Sequence, residues 1–211
     1  AYNSAMARKP EKDARERILD AALEIFADEG FAGTTTREIA ARAGVNLGLI
    51  KYYFGSKDAL WRAVVDGVFA ALTADIGDVG ALAAGGPDAI AKLARACVRF
   101  AGRNPAFVRL MNDECKRKSP RMRWLVDRHG RPLYEATTAL LGRMRREGMV
   151  PDVPDVHLYY MFIGAAGMIF SQAPECQRLI GKDPTADERM IAAHADAVVK
   201  LFIRGRARAS A

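Results

Sequence analysis

Residues 34–57, TTTREIAARAGVNLGLIKYYFGSK, constrain the fold more than any other part of the chain, because they hold the start and stop signals of two short helices. Thr35 followed three residues later by Glu38 is a capping box, which starts a helix. Gly44 favours the backbone conformation that ends this helix, and Asn46 can cap the next one. Two short helices joined by a tight glycine turn form a helix-turn-helix arrangement.

The residues of this segment separate into a seam between the helices and an exposed face. Ala40 is small enough to let the helices over about 37–43 and 47–54 cross at close range. In a helix-turn-helix protein the second helix is the recognition helix, which enters the major groove of DNA. Its exposed side carries Leu47, Gly48, Lys51 and Tyr52.

Helical spacing continues on both sides of this segment, and no stretch alternates as a strand does, so the chain is predicted to be all-α. Between residues 18 and 26 apolar side chains recur every three or four positions, and Gly30 is placed to end that helix. Ser56 can cap a longer helix that runs to about Asp75. Further helices are expected near 87–103, 105–117, 119–130, 131–147, 154–173 and 185–205.

Composition shifts suggest four segments along the chain. We expect residues 1–10 to be a disordered basic arm, with residues 1–5 left over from cloning and Met6 as the native start. Residues 11–60 are predicted to form the helix-turn-helix domain, and 61–84 a connecting helix and a glycine-rich linker. Residues 85–211 are predicted to form a second helical domain.

Composition excludes several classes of protein. No apolar run approaches the roughly 20 residues that a membrane-spanning helix needs, so we expect no membrane partner. The three cysteines are an odd number and far apart, which favours a reducing cytoplasm over a disulfide framework. The three histidines lack metal-ligand spacing, and no nucleophile elbow, P-loop or GxGxxG occurs. We therefore predict no catalytic residues, no metal and no cofactor.

The net charge of +7 does not by itself locate a DNA-binding surface. Residues 1–72 hold equal numbers of basic and acidic side chains, so the excess lies entirely in residues 73–211. Part of it is a cluster over residues 116–131, for which we consider a solvated face, a site for an anionic effector, or a surface near DNA. A DNA-binding surface must therefore be located by the motif.

Residues 15–65 resemble the DNA-binding domain of the tetracycline repressor (TetR) family of bacterial transcription regulators. The resemblance is carried by the first-helix pattern with Gly30, by the run Thr34–Thr36, by Ile39-Ala40, by Ala43-Gly44-Val45 with Gly48, and by Tyr53-Phe54-Gly55-Ser56-Lys57. It departs from the commoner family pattern at Lys51, where a tyrosine is frequent, and at Tyr52, where a histidine or tryptophan is frequent. These departures leave the fold intact and the operator sequence open.

The resemblance implies DNA-contacting roles for Thr36, Arg37, Leu47, Gly48, Lys51, Tyr52, Tyr53 and Lys57. Each has a plainer alternative: Tyr53 can serve partly in packing, and Lys51 and Lys57 can be solvated surface charges. Arg8 and Lys9 of the basic arm are candidates for contact with the minor groove.

The resemblance also implies that the second domain dimerises and holds an effector pocket. Bulky side chains between residues 87 and 147 are the pocket candidates, with ordinary core packing as the alternative: Phe100, Phe107, Met111, Trp124, Leu125, Tyr134, Leu141 and Met144. The helices predicted near 154–173 and 185–205 are the candidates for a four-helix dimer bundle, with an intrachain core as the alternative. Their interface candidates are Tyr159, Phe162, Ile163, Ala166, Gly167, Phe170, Ile191, Val198, Leu201 and Phe202.

By this resemblance we expect a homodimeric transcription regulator, not an enzyme, that a small-molecule effector releases from a palindromic double-stranded DNA operator. Effector binding in the second domain would shift the helix after Ser56 and change the separation of the recognition helices. An activator of the same fold and a nonspecific architectural DNA-binding protein are the alternatives considered.

Overall fold

The computed structural model describes residues 13–77 and 86–203 of the chain, and every regular element within them is helical. The all-α prediction is therefore confirmed for these residues. The expected basic arm, with Arg8 and Lys9, and most of the expected linker lie outside the described residues. Within the described part, no helix is both long and apolar enough to cross a membrane.

The chain divides into two compact units, residues 1–66 and 67–211. The helices of the first unit are α1 (Ala14–Gly33), α2 (Thr36–Ala43), α3 (Leu47–Phe54) and the start of α4 (Lys57–Ile76). The described helices of the second unit, after the end of α4, are α5 (Gly86–Arg103), α6 (Pro105–Cys115), α7 (Pro120–Leu125), a π-helix (Val126–Gly130), α8 (Arg131–Arg146), α9 (Asp155–Ser171), α10 (Ala173–Ile180) and α11 (Glu188–Phe202).

The helix boundaries of the first unit follow the capping signals of the sequence. Thr35 caps α2 through the amide of Glu38, whose carboxylate bonds the Thr35 amide in return at 2.8 Å. These hydrogen bonds from Thr35 lower the pKa of Glu38. Ser56 Oγ accepts from the Ala59 amide at 3.0 Å at the start of α4. The predicted capping box and the predicted Ser56 cap are both confirmed.

The end of α1 differs from the simple termination that Gly30 predicted. Gly30 has φ 67° and ψ 170°, so regular helix breaks there, but a further turn follows it up to Gly33. The hydroxyl of Thr34 donates to the Gly30 carbonyl at 2.7 Å, and Thr34 itself is 1% exposed. Gly30 therefore bends the chain and Thr34 fixes the bend.

Two apolar clusters organise the second unit. One packs the end of α4 and the start of α5 against α8 and α9, and includes Ile76, Ile90 and Met144. The other packs α5 against α9 and α11 around Phe170 and Ile191. Two ion pairs join α5 to α11 at the surface, Arg95–Asp196 at 2.6 Å and Arg103–Glu188 at 2.9 Å.

The helix predictions for the second unit need three corrections. The predicted helix over 119–130 is the short α7 followed by a π-helix. The predicted last helix begins only at Glu188, where Asp187 caps it, and it ends at Phe202. Helix α10 was not predicted, because its eight residues are too few to show a clear apolar period.

We expect Thr35→Ala to lower the free energy of unfolding of the first unit by about 1 kcal/mol, because the Glu38 amide loses its side-chain acceptor. Urea denaturation of the full chain, followed by tryptophan fluorescence, measures the loss. Thr36→Ala is the matched control and should stay within about 0.5 kcal/mol of the original. Equal stability of all three proteins would contradict the capping role of Thr35.

Candidate nucleic-acid interface

Helices α2 and α3 are joined by a turn whose geometry the glycine decides. Gly44 has φ 63° and ψ 40°, a left-handed conformation that side chains oppose. The Val45 amide donates to the Ala40 carbonyl at 3.0 Å, which satisfies one of the free carbonyls at the end of α2. Ala40 is 4% exposed in the seam, as its small size predicted. The helix-turn-helix arrangement is therefore present.

The start of α3 explains why position 48 is a glycine. Asn46 caps the helix by accepting from the Gly48 amide at 2.7 Å. A Cβ added to Gly48 would lie 3.1 Å from Asn46 Oδ1, so a side chain there would crowd the capping oxygen. Gly48 keeps the cap intact and leaves the first turn of α3 with an open surface.

The outer face of α3 carries the predicted recognition residues. Tyr52 is 79% exposed and Leu47 is 43% exposed, while Ile50 on the opposite side is 2% exposed. Lys51 and Gly48 lie on the exposed face beside them. The ring of Tyr53 is in edge-to-face contact with that of Tyr52, with 5.1 Å between centroids. The structure thus brings these residues together on one accessible surface.

The first turn of α2 holds two more of the predicted DNA contacts. Arg37 is exposed and Thr36 is half-buried. Both follow the Thr35 cap, at the helix end where backbone N–H groups and the helix dipole favour an anion. A phosphate group is an anion of this kind, so the position suits a DNA backbone contact.

Lys57 has a structural role that the sequence did not indicate. Its ammonium donates to the carbonyl oxygens of Phe31 at 2.8 Å and Thr34 at 2.7 Å. It also lies 4.3 Å from the centroid of the Phe31 ring, a cation–π contact. Lys57 therefore fastens the start of α4 to the connection between α1 and α2.

Two arginines of α1 also support the arrangement. Arg17 Nε donates to the Ala43 carbonyl at 3.2 Å, at the C-terminal end of α2. The guanidinium of Arg15 lies 5.6 Å from the centroid of the Phe54 ring at the end of α3. The sequence analysis missed both contacts, because an arginine on a helix surface gives no signal of its distant partner.

In the second unit an apolar cavity of about 190 Å³ lies between α5, α8 and α9, near the ends of α4 and α11. Of the eight predicted pocket residues, only Leu141 and Met144 line it. Its other walls include Tyr159, Phe162, Ile163 and Phe202, which the sequence analysis assigned to a dimer interface. A stripe on α8 with steps of four and three residues, Leu133, Thr137, Leu141 and Met144, was the signal that could have located this wall.

The remaining predicted pocket residues lie outside the lining of this cavity. Phe100 and Phe107 form an aromatic cluster with Phe69, in which the ring centroids of Phe69 and Phe107 are 5.3 Å apart. His129 stacks on Phe69 at 4.3 Å and also contacts Trp124. Leu125 is 3% exposed, Met111 is half-buried and Tyr134 contacts Tyr159 edge-on. For Phe100, Phe107 and Leu125 the structure supports the core alternative.

Five of the ten predicted dimer-interface residues are buried within the chain itself, which corrects that expectation for them. They pack α9 and α11 against each other or against α5 and α6: Ala166, Gly167, Phe170, Ile191 and Val198. A Cβ on Gly167 would lie 3.0 Å from Val108, so that glycine permits an intrachain contact. The exposed apolar side chains of these helices are Val156, Tyr160, Met161, Ile163, Met168 and Leu201.

Part of the basic cluster over residues 116–131 pairs with neighbouring carboxylates. Lys116 and Arg117 pair with Asp113 at 3.0 and 2.9 Å. Arg121 pairs with Glu114, a carboxylate only 3% exposed that also accepts from Ser119. Within the described residues, no group of three or more His, Cys, Asp and Glu side chains could hold a metal ion.

Comparison with known proteins assigns both parts of the chain. Residues 18–64 match the family model "Bacterial regulatory proteins, tetR family", and residues 87–201 match "Tetracyclin repressor-like, C-terminal domain". RutR, a transcriptional regulator of Escherichia coli K12, is 27% identical over 195 residues, covering 90% of this chain and 89% of RutR.

Another curated relative shares mainly the N-terminal part. The repressor Rv3405c of Mycobacterium tuberculosis is 50% identical over 56 residues, which is 26% of this chain and 30% of the repressor. The chain thus matches under a third of the length of that relative.

Solved structures show the same fold over about nine-tenths of the chain. The ketosteroid regulator KstR2 of M. tuberculosis superposes with a TM-score of 0.68 at 19% identity, covering 92% of this chain and 97% of KstR2. The regulator SCO4942 of Streptomyces coelicolor superposes with a TM-score of 0.64 at 23% identity, covering 92% of this chain and all of the other.

We expect Lys57→Met to destabilise the α1–α2 connection by about 2 kcal/mol, because two carbonyls lose a charged donor. Amide hydrogen exchange in the full chain should then be about 30-fold faster in that segment. The matched control is Lys51→Met on the exposed face of α3, which should leave exchange there unchanged. Equal exchange in the two variants would contradict a structural role for Lys57.

Proposed function

The chain belongs to the TetR family of bacterial regulatory proteins, which are DNA-binding transcription regulators and not enzymes, and we propose that it represses transcription as a homodimer until a small molecule releases it from a palindromic operator. This proposal places it in the cytoplasm, with the DNA that it regulates. The observation that carries the proposal is the exposed face of α3, on which Lys51 and Tyr52 project from a helix fixed by the Gly44 turn.

The exposed face of α3 offers two kinds of contact with DNA, one cationic and one apolar. Lys51 provides a cation for a phosphate or for a guanine edge, and Tyr52 and Leu47 provide apolar contact with base edges. Outside this face, Thr36, Arg37, Tyr53 and Lys57 supply hydroxyl, guanidinium and ammonium donors. We infer that these donors contact the backbone and set the position of α3 in the groove.

A homodimer follows from the size of the recognition surface. Helix α3 has eight residues, so one copy reads only a half-site. A two-fold dimer places two such helices about 34–36 Å apart, one turn of B-DNA. The exposed apolar side chains of α9 and α11, which have Tyr160 at 66% and Leu201 at 72% exposure, are the surface that we assign to the dimer contact.

Release from the operator requires an effector that binds the DNA-incompetent state more tightly. The helix α4 is continuous from Lys57 to Ile76, so its first residue holds the α1–α2 connection and its last residue lines the cavity. A movement of this helix would change the contacts at both of its ends. The coupling must be reciprocal, so operator DNA weakens effector binding by the same factor.

Selection of bound fragments from the source organism's genomic DNA tests the proposal and supplies the operator. A set of palindromic sites upstream of genes is the expected result, and binding must survive competition from unrelated DNA. Uniform recovery of fragments would instead indicate an architectural DNA-binding protein. Sites from which the protein increases transcription of the adjacent gene would indicate an activator.

Substitution of Lys51 separates phosphate contact from other contributions. Lys51→Ala should weaken operator binding and reduce the magnitude of the slope of log K against log salt by about 0.9 for each lost phosphate contact, or about 2 per dimer. Tyr52→Ala should weaken specific binding with little change of slope. Lys182→Ala, an exposed lysine of the second unit, is the control. An unchanged slope for Lys51→Ala would exclude phosphate contact by that side chain.

Substitution of Tyr160 tests the dimer. Light scattering should give twice the chain mass of 23.0 kDa for the original protein and the single mass for Tyr160→Glu, because a carboxylate would be buried without a partner. Ala139→Glu, at an exposed position on α8, should remain dimeric. A dimer that persists with Glu at position 160 would place the interface elsewhere.

A further inference from the structure

The chemistry of the cavity in the second unit restricts what it can bind. Among the described residues, 13–77 and 86–203, no Asp, Glu, Lys, Arg or His lines it. Its side-chain hydroxyl and thiol groups belong to Thr137, Tyr159 and Cys97, and all other lining side chains are hydrocarbon or thioether. The cavity is therefore a nearly apolar space with three uncharged polar groups.

These polar groups remain neutral at physiological pH. Burial raises the pKa of Tyr159 to about 12, and burial likewise raises the pKa of Cys97 to about 11. Neither the phenol nor the thiol can then supply a negative charge to pair with a cationic ligand. The lining supplies no positive charge for an anion, so any ionised ligand would lose its hydration without compensation.

The size of the cavity sets the scale of its occupant. A cavity of about 150 Å³ lined by Leu, Ile and Phe stays dry and binds benzene. The space here is about 190 Å³ and has similar walls. It therefore accommodates a single ring with a short chain, or an aliphatic chain of equal volume.

We propose that the effector of this chain is an uncharged, mainly apolar molecule of this size, with the Tyr159 hydroxyl as a hydrogen-bonding partner for one neutral polar group. The regulatory meaning of this site rests on the proposed function, whereas binding itself does not. A ligand in the cavity would touch Ile76, the last residue of α4, and Phe202, the last residue of α11.

The structure gives the basic cluster over residues 116–131 no part in this site. None of its residues lines the cavity, and Lys116, Arg117 and Arg121 already pair with carboxylates. The alternative of an anionic effector held by that cluster is therefore not favoured, although the cluster is the most basic stretch of the second unit.

Calorimetry on the full chain without DNA tests the proposal with three matched probes. These are propylbenzene, 3-phenylpropan-1-ol and 3-phenylpropanoate, which differ at one end only. We expect the hydrocarbon and the alcohol to bind, and the carboxylate to bind at least tenfold more weakly. Tighter binding of the carboxylate, or no binding of any probe, would overturn the proposal.

Variants locate the binding at the cavity. Ala94 lines the cavity, and Ala94→Leu should fill it and weaken propylbenzene binding at least tenfold. Ala91→Leu on the same helix, at a position outside the lining, is the matched control. If Ala94→Leu does not fold, Thr137→Leu fills the opposite wall in its place. Full probe affinity in a folded, filled variant would show that the probe binds elsewhere and would overturn the proposal.

A separate variant tests the hydrogen-bonding role of the Tyr159 hydroxyl. Tyr159→Phe should weaken binding of the alcohol about threefold to tenfold and leave propylbenzene binding unchanged. Equal losses for both probes would mean that Tyr159 contributes only shape, which contradicts its hydrogen-bonding role.

Operator binding is measured separately so that the two proposals can fail separately. Probe binding without operator binding would contradict the proposed function and support the cavity. Operator binding by a protein that binds no probe would contradict this inference alone.

Discussion

The ammonium of Lys57 is the contact on which the arrangement of the DNA-binding unit most depends. It joins the first residue of α4 to the carbonyls of Phe31 and Thr34, in the connection between α1 and α2. Carbonyls at the end of a helix have no partner within it, so an external donor stabilises the chain reversal there. Thr34 and the positive φ of Gly30 complete the reversal. The start of α4 is thereby fixed to the connection that leads into α2.

The apolar side chains of the second unit fall into three groups, which fill the core, line the cavity or remain exposed. The α9 side chains of Phe170 and Ala166 close the core against α5 and α11, whereas Phe162 and Tyr159 of the same helix border the cavity. Tyr160 and Met168 remain exposed. Successive residues of a helix point about 100° apart, so one sequence stretch can serve a core, a ligand site and a partner surface.

Prediction of structure from the sequence succeeded where the signal was local and failed where it was not. The capping box of Thr35 and Glu38, the Gly44 turn and the exposure of Tyr52 depend on residues a few positions apart, so they could be predicted. The ammonium of Lys57 lies against residues 23 and 26 positions away. Phe100 and Phe107 were placed in a pocket because bulky apolar residues look alike in a core and in a cavity.

The sequence by itself therefore determined the all-helical class, the helix-turn-helix and the exposed face of α3, because helix caps, glycine turns and periodicity act over a few residues. Only the tertiary structure decided that Leu141 and Met144 line a cavity while Phe170 and Ile191 fill a core. Burial of an apolar side chain is favourable in either place and carries no direction. The packing of α5, α8, α9 and α11 against one another decides which space is filled and which is left open.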